Sequence, residues 1–235
     1  GMKALNGVGA AVIQQIIDGR PYNSLLDFMN RTNLNKTVMI SLIKAGAFDR
    51  IENKSRQEIM AEYIWLICDK KKRITLQNFN GLITYDLIPQ ELEFQKRVFV
   101  FNKALKSYCK IDKYYIIVNN FLEFYEEFFN MDKLEVINGD AHILQTEWEK
   151  IYKANMAPAR EYFQNHQEEM LSKFNKLLFV ESWNKYAEGS LSSWEMTSLG
   201  FYHGAHELKD VNLAKYDIIN FEELPEEPEV EYFFK

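Results

Sequence analysis

The spacing of apolar residues predicts three short helices in the first fifty positions. Apolar side chains recur three and four residues apart in a run that follows Gly9 and in another that ends at Gly46, as expected for one buried helix face. Between these runs, Ser24 precedes a third apolar cluster, and serine is a favoured N-cap residue. Glycine suits the turns between such helices because it adopts backbone angles that other residues avoid.

After residue 50 the apolar pattern lengthens and predicts longer helices. Amphipathic segments follow Ser55, which is available as a cap, and recur near residues 93–107 and 145–188. The polar, glycine-containing stretch Gln77–Pro89 is predicted to be a loop. Tyr114–Val118 is rich in β-branched and aromatic residues, which favour a short strand. The predicted fold class is mainly α, with a short strand or two in the middle region.

Composition narrows the class of protein. With 47% hydrophobic and 14% aromatic residues, the chain of 235 residues can bury a substantial core. No run of about 18 apolar residues occurs, so no membrane span is predicted. Cys68 and Cys109 are the only cysteines, too few for a disulfide framework or a four-thiolate zinc site. These features predict a soluble, cytoplasmic protein.

The net charge of −6 hides an uneven distribution along the chain. Residues 1–110 carry 17 basic and 10 acidic side chains, whereas residues 111–235 carry 11 and 24. A basic segment followed by an acidic one is typical of a protein that contacts a polyanion with one part of its surface. The alternative is that the charges vary by chance and only solvate helices.

The candidate chemistry lies in the turn Gly7-Val8-Gly9. Two glycines let the backbone bend sharply and leave the amides of the turn pointing outward, next to the positive end of the following helix dipole. Such amides form a phosphate site, and Val8 would pack the turn onto its own helices. This is the pattern of a helix-hairpin-helix element, which holds a nucleic-acid backbone without reading bases. An ordinary corner between two helices is the alternative.

A second hairpin-like turn, Thr32–Lys36, follows at a spacing suited to a paired copy. The first fifty residues carry six basic and three acidic side chains, which favours nucleic acid as the partner. The two turns therefore predict binding of duplex or primer-template DNA without sequence preference. The predicted DNA-binding residues are Lys3, Asn6, Gly7, Val8, Gly9, Asn35, Lys36 and Thr37.

Two parts of the chain resemble the alpha subunit of bacterial DNA polymerase III, a C-family polymerase. The first is Gly1–Gly9 together with Asn35–Asp49, which ends in the characteristic Leu-Ile-Lys-Ala-Gly-Ala-Phe-Asp. The second, Ser193–Tyr202, is similar to the family's segment ahead of its OB domain. There the family continues with Ser-Gly-His-Pro-Leu; His206 and Leu208 match this pattern, but the proline is absent.

The resemblance implies three segments. Residues 1–50 would form a tandem helix-hairpin-helix domain, and residues 51–190 a helical middle region. Residues 191–235 would form the Gly-Phe-Tyr segment and an acidic linker toward a following domain. Residues 70–185 align with no motif of the family, so their role is not predicted.

The resemblance also implies that the catalytic centre lies outside this chain, because the family's palm domain precedes this region. None of the ten aspartates forms an Asp-x-Asp pair, and two-metal phosphoryl transfer needs such clustered carboxylates. A glycine-rich triphosphate loop with Lys and Ser/Thr is also absent from the sequence. The chain is predicted to be a non-catalytic segment, with no catalytic residue, metal or cofactor of its own, in a nucleotidyltransferase that would need Mg²⁺.

A candidate clamp-binding peptide lies further along the chain. Gln90, Leu92 and Phe94 have a spacing that resembles sliding-clamp-binding peptides of the polymerase family. In that interpretation an extended strand would place the Leu92 and Phe94 side chains in an apolar pocket of the clamp. Both residues are equally suited to the core, at the start of a helix.

Two other functions stay open at this point. A helix-hairpin-helix repair enzyme of the glycosylase type would place a catalytic aspartate about one helix after the hairpin, where Asp27 lies. A helical protein–protein adaptor with a vestigial hairpin would not bind DNA. The basic run Lys70–Arg73 extends a phosphate track in one interpretation and solvates a helix face in the other. His142 and His166 are predicted to be surface residues.

Overall fold

The computed structural model describes residues 8–204 and residue 215. The chain divides into two compact units: a first unit of the residues up to Ile64 together with those from Lys185 on, and a second unit of Trp65–Asn184. These boundaries lie within helices, whereas sequence analysis placed segment boundaries after residues 50 and 190. The two segments that resemble the polymerase family are far apart in the sequence and belong to the same unit.

The described residues fold mainly into helices, as predicted. In chain order the helices are α1 (Ala10–Asp18), α2 (Leu25–Thr32), α3 (Lys36–Lys44), α4 (Arg56–Ile67), α5 (Phe79–Thr84), α6 (Glu93–Tyr108), α7 (Asn119–Phe128), α8 (Gln145–Asn155), α9 (Ala157–Asn165), α10 (Gln167–Tyr186) and α11 (Leu191–Leu199). The strands are β1 (Lys110–Ile111), β2 (Tyr114–Ile117), β3 (Glu135–Ile137) and β4 (Asp140–Leu144). In the part of the chain that the structure describes, no helix is both long and apolar enough to cross a membrane.

Local caps explain where the helices of the first unit begin. The Ser24 hydroxyl accepts a hydrogen bond from the Asp27 amide at 3.0 Å, and Ser55 forms the same kind of cap at α4 with the Glu58 amide at 3.3 Å. Both caps were predicted from sequence. The helices bury apolar side chains against one another, and α3 also packs against α11. Deeply buried side chains of these helices include Leu25, Met39, Leu42, Ile43, Ile59, Met60, Ile64 and Trp194; burying each one stabilises the fold by about 1.5–3 kcal/mol.

A four-stranded antiparallel sheet forms part of the second unit, with strand order β1-β2-β4-β3. Tyr115 lies opposite Ile143 in the β2–β4 pair, and both are buried with Trp148 of α8. Sequence analysis predicted the strand at Tyr114–Val118 but not its partners. β3 and β4 escaped prediction because they are short and carry exposed residues such as Val136, which is 77% exposed.

The predicted loop at Gln77–Pro89 is wrong, because these residues include helix α5. A turn of 3₁₀ helix at Leu76–Asn78 leads directly into α5, and Phe79 and Leu82 of α5 are fully buried. Gly81, which suggested a loop, lies where a Cβ atom would be 2.8 Å from the Phe174 ring. Close packing against Phe174, and not a turn, therefore explains the glycine at position 81.

Candidate nucleic-acid interface

Helix α1 begins at the second glycine of the predicted hairpin. Gly9 is its N-cap residue, and the Ile13 amide donates to the Gly9 carbonyl at 3.1 Å, which closes the first helical turn. No described side chain caps this end of the helix. The amides of Ala10, Ala11 and Val12 therefore lack helical acceptors and lie at the positive end of the helix dipole. Such an end can bind a phosphate oxygen.

The described residues leave the space in front of Gly9 unfilled. Its backbone angles, φ −73° and ψ 160°, are ones that any residue adopts. No described atom lies within 4 Å of the position that a Cβ atom would occupy. Neither the backbone nor the packing of the described residues requires a glycine here. A ligand that approaches the backbone closely would require one.

The second turn, between α2 and α3, differs in its chemistry. Asn33 adopts the left-handed conformation, with φ 47°, and reverses the chain after α2. The Asn35 side chain accepts a hydrogen bond from the Val38 amide at 3.0 Å, so the first turn of α3 is capped by its own chain. The predicted DNA-binding residues Asn35, Lys36 and Thr37 therefore lie at the start of a helix. One amide of its first turn, that of Val38, is already bonded to Asn35 and is not available to a phosphate.

Two lysines meet at one tyrosine near the start of α3. The ammonium groups of Lys36 and Lys185 lie 5.1 and 5.2 Å from the centre of the Tyr186 ring. A hydrogen bond from Lys185, together with the positive charge of Lys36, lowers the pKa of the Tyr186 hydroxyl. Sequence analysis missed Lys185 and Tyr186, since nothing in their local pattern places them beside the hairpin.

A buried ion-pair network joins the helices of the first unit to the segment after α11. The Arg56 guanidinium contacts Asp49 at 2.6 Å and Glu195 at 3.0 Å, and both it and Glu195 are largely buried. The other Glu195 oxygen accepts the amides of His203 and Gly204, each at 2.8 Å. Although burial opposes it, the hydrogen bonds from Gly204, Arg56 and His203 lower the pKa of Glu195. The network links α11 and the residues just after Tyr202 to α4 and to Asp49.

Asp27, the candidate catalytic residue of the repair-enzyme alternative, is occupied by local contacts. Its carboxylate accepts the Asn23 amide at 3.0 Å and pairs with Arg31 at 3.3 Å. With the Ser24 hydroxyl it completes the cap of α2. These contacts describe a structural role in starting the helix.

Of the candidate clamp-binding residues, Leu92 and Phe94 pack in the core of the second unit, and Gln90 is exposed. Gln90–Leu92 forms a turn of 3₁₀ helix that enters α6 rather than an extended strand. Leu92 is 3% exposed, and the Phe94 ring lies 5.1 Å from the ring of Phe128. This is the core arrangement that sequence analysis left open.

Some predicted residues cannot be placed. Lys3, Asn6, Gly7, His206 and the acidic linker beyond residue 216 lie outside the described residues.

His142, predicted at the surface, is 7% exposed and pairs with Ile116 across the β2–β4 ladder, so that prediction is wrong. Within residues 8–204 and 215, no group of three His, Cys, Asp or Glu side chains could hold a metal ion.

Comparison with known proteins confirms the predicted helix-hairpin-helix motif. The helix-hairpin-helix motif family matches residues 1–59. The chain is 38% identical over 241 residues to the probable DNA polymerase YorL of Bacillus subtilis and to a DNA-directed DNA polymerase of Bacillus phage SPbeta. These alignments cover 97% of this chain and 18% of each relative.

A shorter alignment reaches DNA polymerase III subunit alpha of Pseudomonas aeruginosa, with 37% identity over 68 residues, 26% of this chain and 6% of that protein. No solved structure matches the chain. The chain spans under a fifth of the length of the polymerases that it matches. It carries a helix-hairpin-helix DNA-binding motif and is similar, over nearly its whole length, to one segment of DNA polymerases.

Proposed function

We propose that this chain is a non-catalytic segment of a DNA polymerase that holds the DNA backbone without sequence preference. The observation that carries the proposal is the start of α1, where the first amides lack helical acceptors and no described atom lies within 4 Å of the Cβ position at Gly9. Amides at a helix end bind phosphate oxygens and make no contact with base edges, so they position DNA without reading it.

The distribution of carboxylates supports the non-catalytic part of the proposal. The sequence has no Asp-x-Asp pair, and the carboxylates Asp27, Asp49 and Glu195 are used in caps and ion pairs. Metal-dependent nucleotide addition would need clustered carboxylates. The rest of a longer polymerase would supply them.

A polymerase III alpha-like parent is the finer proposal. The segments at residues 1–60 and 190–210 resemble that family, and the Arg56–Glu195 network joins their described parts in one unit. The short alignment to the Pseudomonas aeruginosa alpha subunit supports the same assignment. Contact with a sliding clamp through Leu92 and Phe94 would require both side chains to leave the core, so it forms no part of the proposal.

The proposal is tested by titrating the chain with two fluorescent DNA duplexes of unrelated sequence at several salt concentrations. We expect equal affinities, with dissociation constants of about 10⁻⁴–10⁻⁶ M at physiological salt, and a steep loss of affinity as salt rises. A clear preference for one sequence would contradict the non-specific part of the proposal. Absence of binding at low salt would contradict DNA binding altogether and favour the adaptor alternative.

A further inference from the structure

The second unit contains an open cleft that lies outside the helix-hairpin-helix motif. Its volume is about 360 Å³, within the range of about 300–1,000 Å³ that is typical of small-molecule sites. One wall comes from the chain segment that precedes α5, and the other comes from helix α9. The lining residues are Arg73, Ile74, Thr75, Leu76, Gln77, Arg160, Phe163 and Gln164.

The cleft combines an apolar floor with a polar rim. Ile74 and Phe163 each have only 2% of their surface exposed and belong to the hydrophobic core of the unit. Thr75, Gln77 and Gln164 supply hydroxyl and amide groups around them. A flat, partly apolar ligand with hydrogen-bonding edges fits this lining.

Two arginines from different elements line this cleft. Arg73 comes from the basic run and Arg160 from α9, and no acidic residue is among the lining residues. Arg160 donates one hydrogen bond, to the Lys153 carbonyl at 3.0 Å, which leaves most of its N–H groups available. Arg73 makes no hydrogen bond or ion pair with another described residue. Guanidinium groups bind phosphate oxygens through paired hydrogen bonds, and two of them suit a dianionic or bridging phosphate.

The segment that carries Arg73 is held on both sides. The Lys71 amide donates to the Asn175 side chain at 2.7 Å, and the same side chain donates to the Lys71 carbonyl at 2.9 Å. On the other side, the Thr75 amide donates to the Asn78 side chain at 2.9 Å. The basic run is therefore an anchored loop rather than a solvated helix face, and the backbone that carries Arg73 is already ordered before a ligand binds.

We infer that this cleft binds a phosphate-bearing nucleotide, with the phosphate at Arg73 and Arg160 and the base or sugar over Ile74 and Phe163. The nucleotide is either free or one unit of single-stranded DNA, since both offer the same chemistry to the cleft. The inference does not depend on the hairpin, because the cleft lies in the other unit and uses side chains rather than helix-end amides.

The test compares the wild-type chain with the double variant Arg73→Gln/Arg160→Gln. The probes are a fluorescent oligothymidylate and a fluorescent deoxynucleoside triphosphate, each titrated at several salt concentrations. The control variant Lys133→Gln/Lys150→Gln removes the same charge from exposed positions of the same unit. Circular dichroism confirms folding, and Arg73→Lys/Arg160→Lys keeps the charge but loses the paired hydrogen-bond geometry.

We expect the glutamine variant to bind at least one probe about tenfold more weakly, with the lysine variant in between and the control unchanged. If single-stranded DNA is the ligand, the slope of log affinity against log salt falls in magnitude by about 1.4, as for two lost phosphate contacts. If only triphosphate binding weakens, the ligand is the free nucleotide.

Equal affinity of the glutamine variant and the control for both probes would overturn the inference. Duplex binding, measured on the same samples, reports on the hairpin separately. If the hairpin proposal is wrong, no sample binds duplex DNA, and this includes the wild type.

Discussion

At the scale of single residues, Gly9 and Asn35 occupy equivalent positions in successive turns but differ in whether they cap the helix that follows. Each is the N-cap of the helix that follows. The Asn35 side chain accepts a hydrogen bond from an amide in the first turn of α3, whereas Gly9 leaves the first amides of α1 without a side-chain acceptor. Sequence analysis assigned both to DNA contact because the two turns look like copies. The residue types at these two positions already indicate which turn caps itself, because glycine has no side chain to accept a hydrogen bond and asparagine is a favoured N-cap.

The substitution Asn35→Ala tests the capping role. It removes the acceptor of the Val38 amide and is expected to lower the free energy of unfolding by about 1 kcal/mol. Asn35→Asp keeps an acceptor and serves as the control that retains stability. Urea denaturation measures both variants. An alanine variant as stable as the wild type would show that the cap contributes nothing.

At the scale of elements, the helices with a clear apolar stripe and a local cap were predictable, and the elements defined by packing were not. Ser24 and Ser55 indicated helix starts because capping is a local property. Helix α5 was missed because its glycine and polar flanks resemble a loop, and only contact with Phe174 explains Gly81. The buried Arg56–Glu195 pair joins residues 139 positions apart, so no local pattern predicts it.

Gly81→Ala should destabilise the protein, although alanine normally favours a helix interior by about 1 kcal/mol. The added methyl group would lie 2.8 Å from the ring of Phe174, which is itself 3% exposed. Overpacking of this kind costs about 1–3 kcal/mol. Chemical denaturation of the single variant and of Gly81→Ala/Phe174→Leu measures the clash. A single variant more stable than the wild type would contradict the close packing.

Glu195→Gln should loosen the link between α4 and the segment after α11. The buried Arg56 would keep Asp49 as a partner but lose one carboxylate, so we expect a loss of about 2 kcal/mol, less than the full cost of a broken buried pair. The exposed Glu188→Gln is the matched control. Urea denaturation at neutral pH compares the two variants, and equal stability would argue against the network.

The same network predicts how stability depends on pH. Against the opposing effect of burial, hydrogen bonds from Gly204, Arg56 and His203 hold the pKa of Glu195 below its ordinary value in the folded state, so its ionised form stabilises the fold above the ordinary pKa. This contribution is lost as the pH falls through the lower folded-state pKa. The wild type should therefore lose more stability on acidification than Glu195→Gln, and parallel losses would contradict the assignment.

At the scale of the whole molecule, the two segments that resemble a polymerase subunit frame a middle region with no such resemblance. Their described parts belong to the first unit, whereas the sheet and the arginine-lined cleft belong to the second. The hairpin was predictable because glycine spacing carries its chemistry directly. The cleft was not, because Arg73 and Arg160 are far apart in sequence and only the fold brings them together.

The most direct test of the central claim compares the variants Gly9→Val and Gln14→Val in duplex DNA binding. Valine at position 9 fits the backbone and meets no described atom, so the fold should survive while the approach of a phosphate to the α1 amides is blocked. Gln14→Val places the same side chain at an exposed position one turn further along α1.

We expect Gly9→Val to weaken duplex binding about tenfold or more, the loss expected when charge-assisted hydrogen bonds to phosphate are removed. Gln14→Val should bind like the wild type. If both variants bind duplex DNA with wild-type affinity while circular dichroism shows intact folding, the hairpin is an ordinary corner between helices and the account is contradicted.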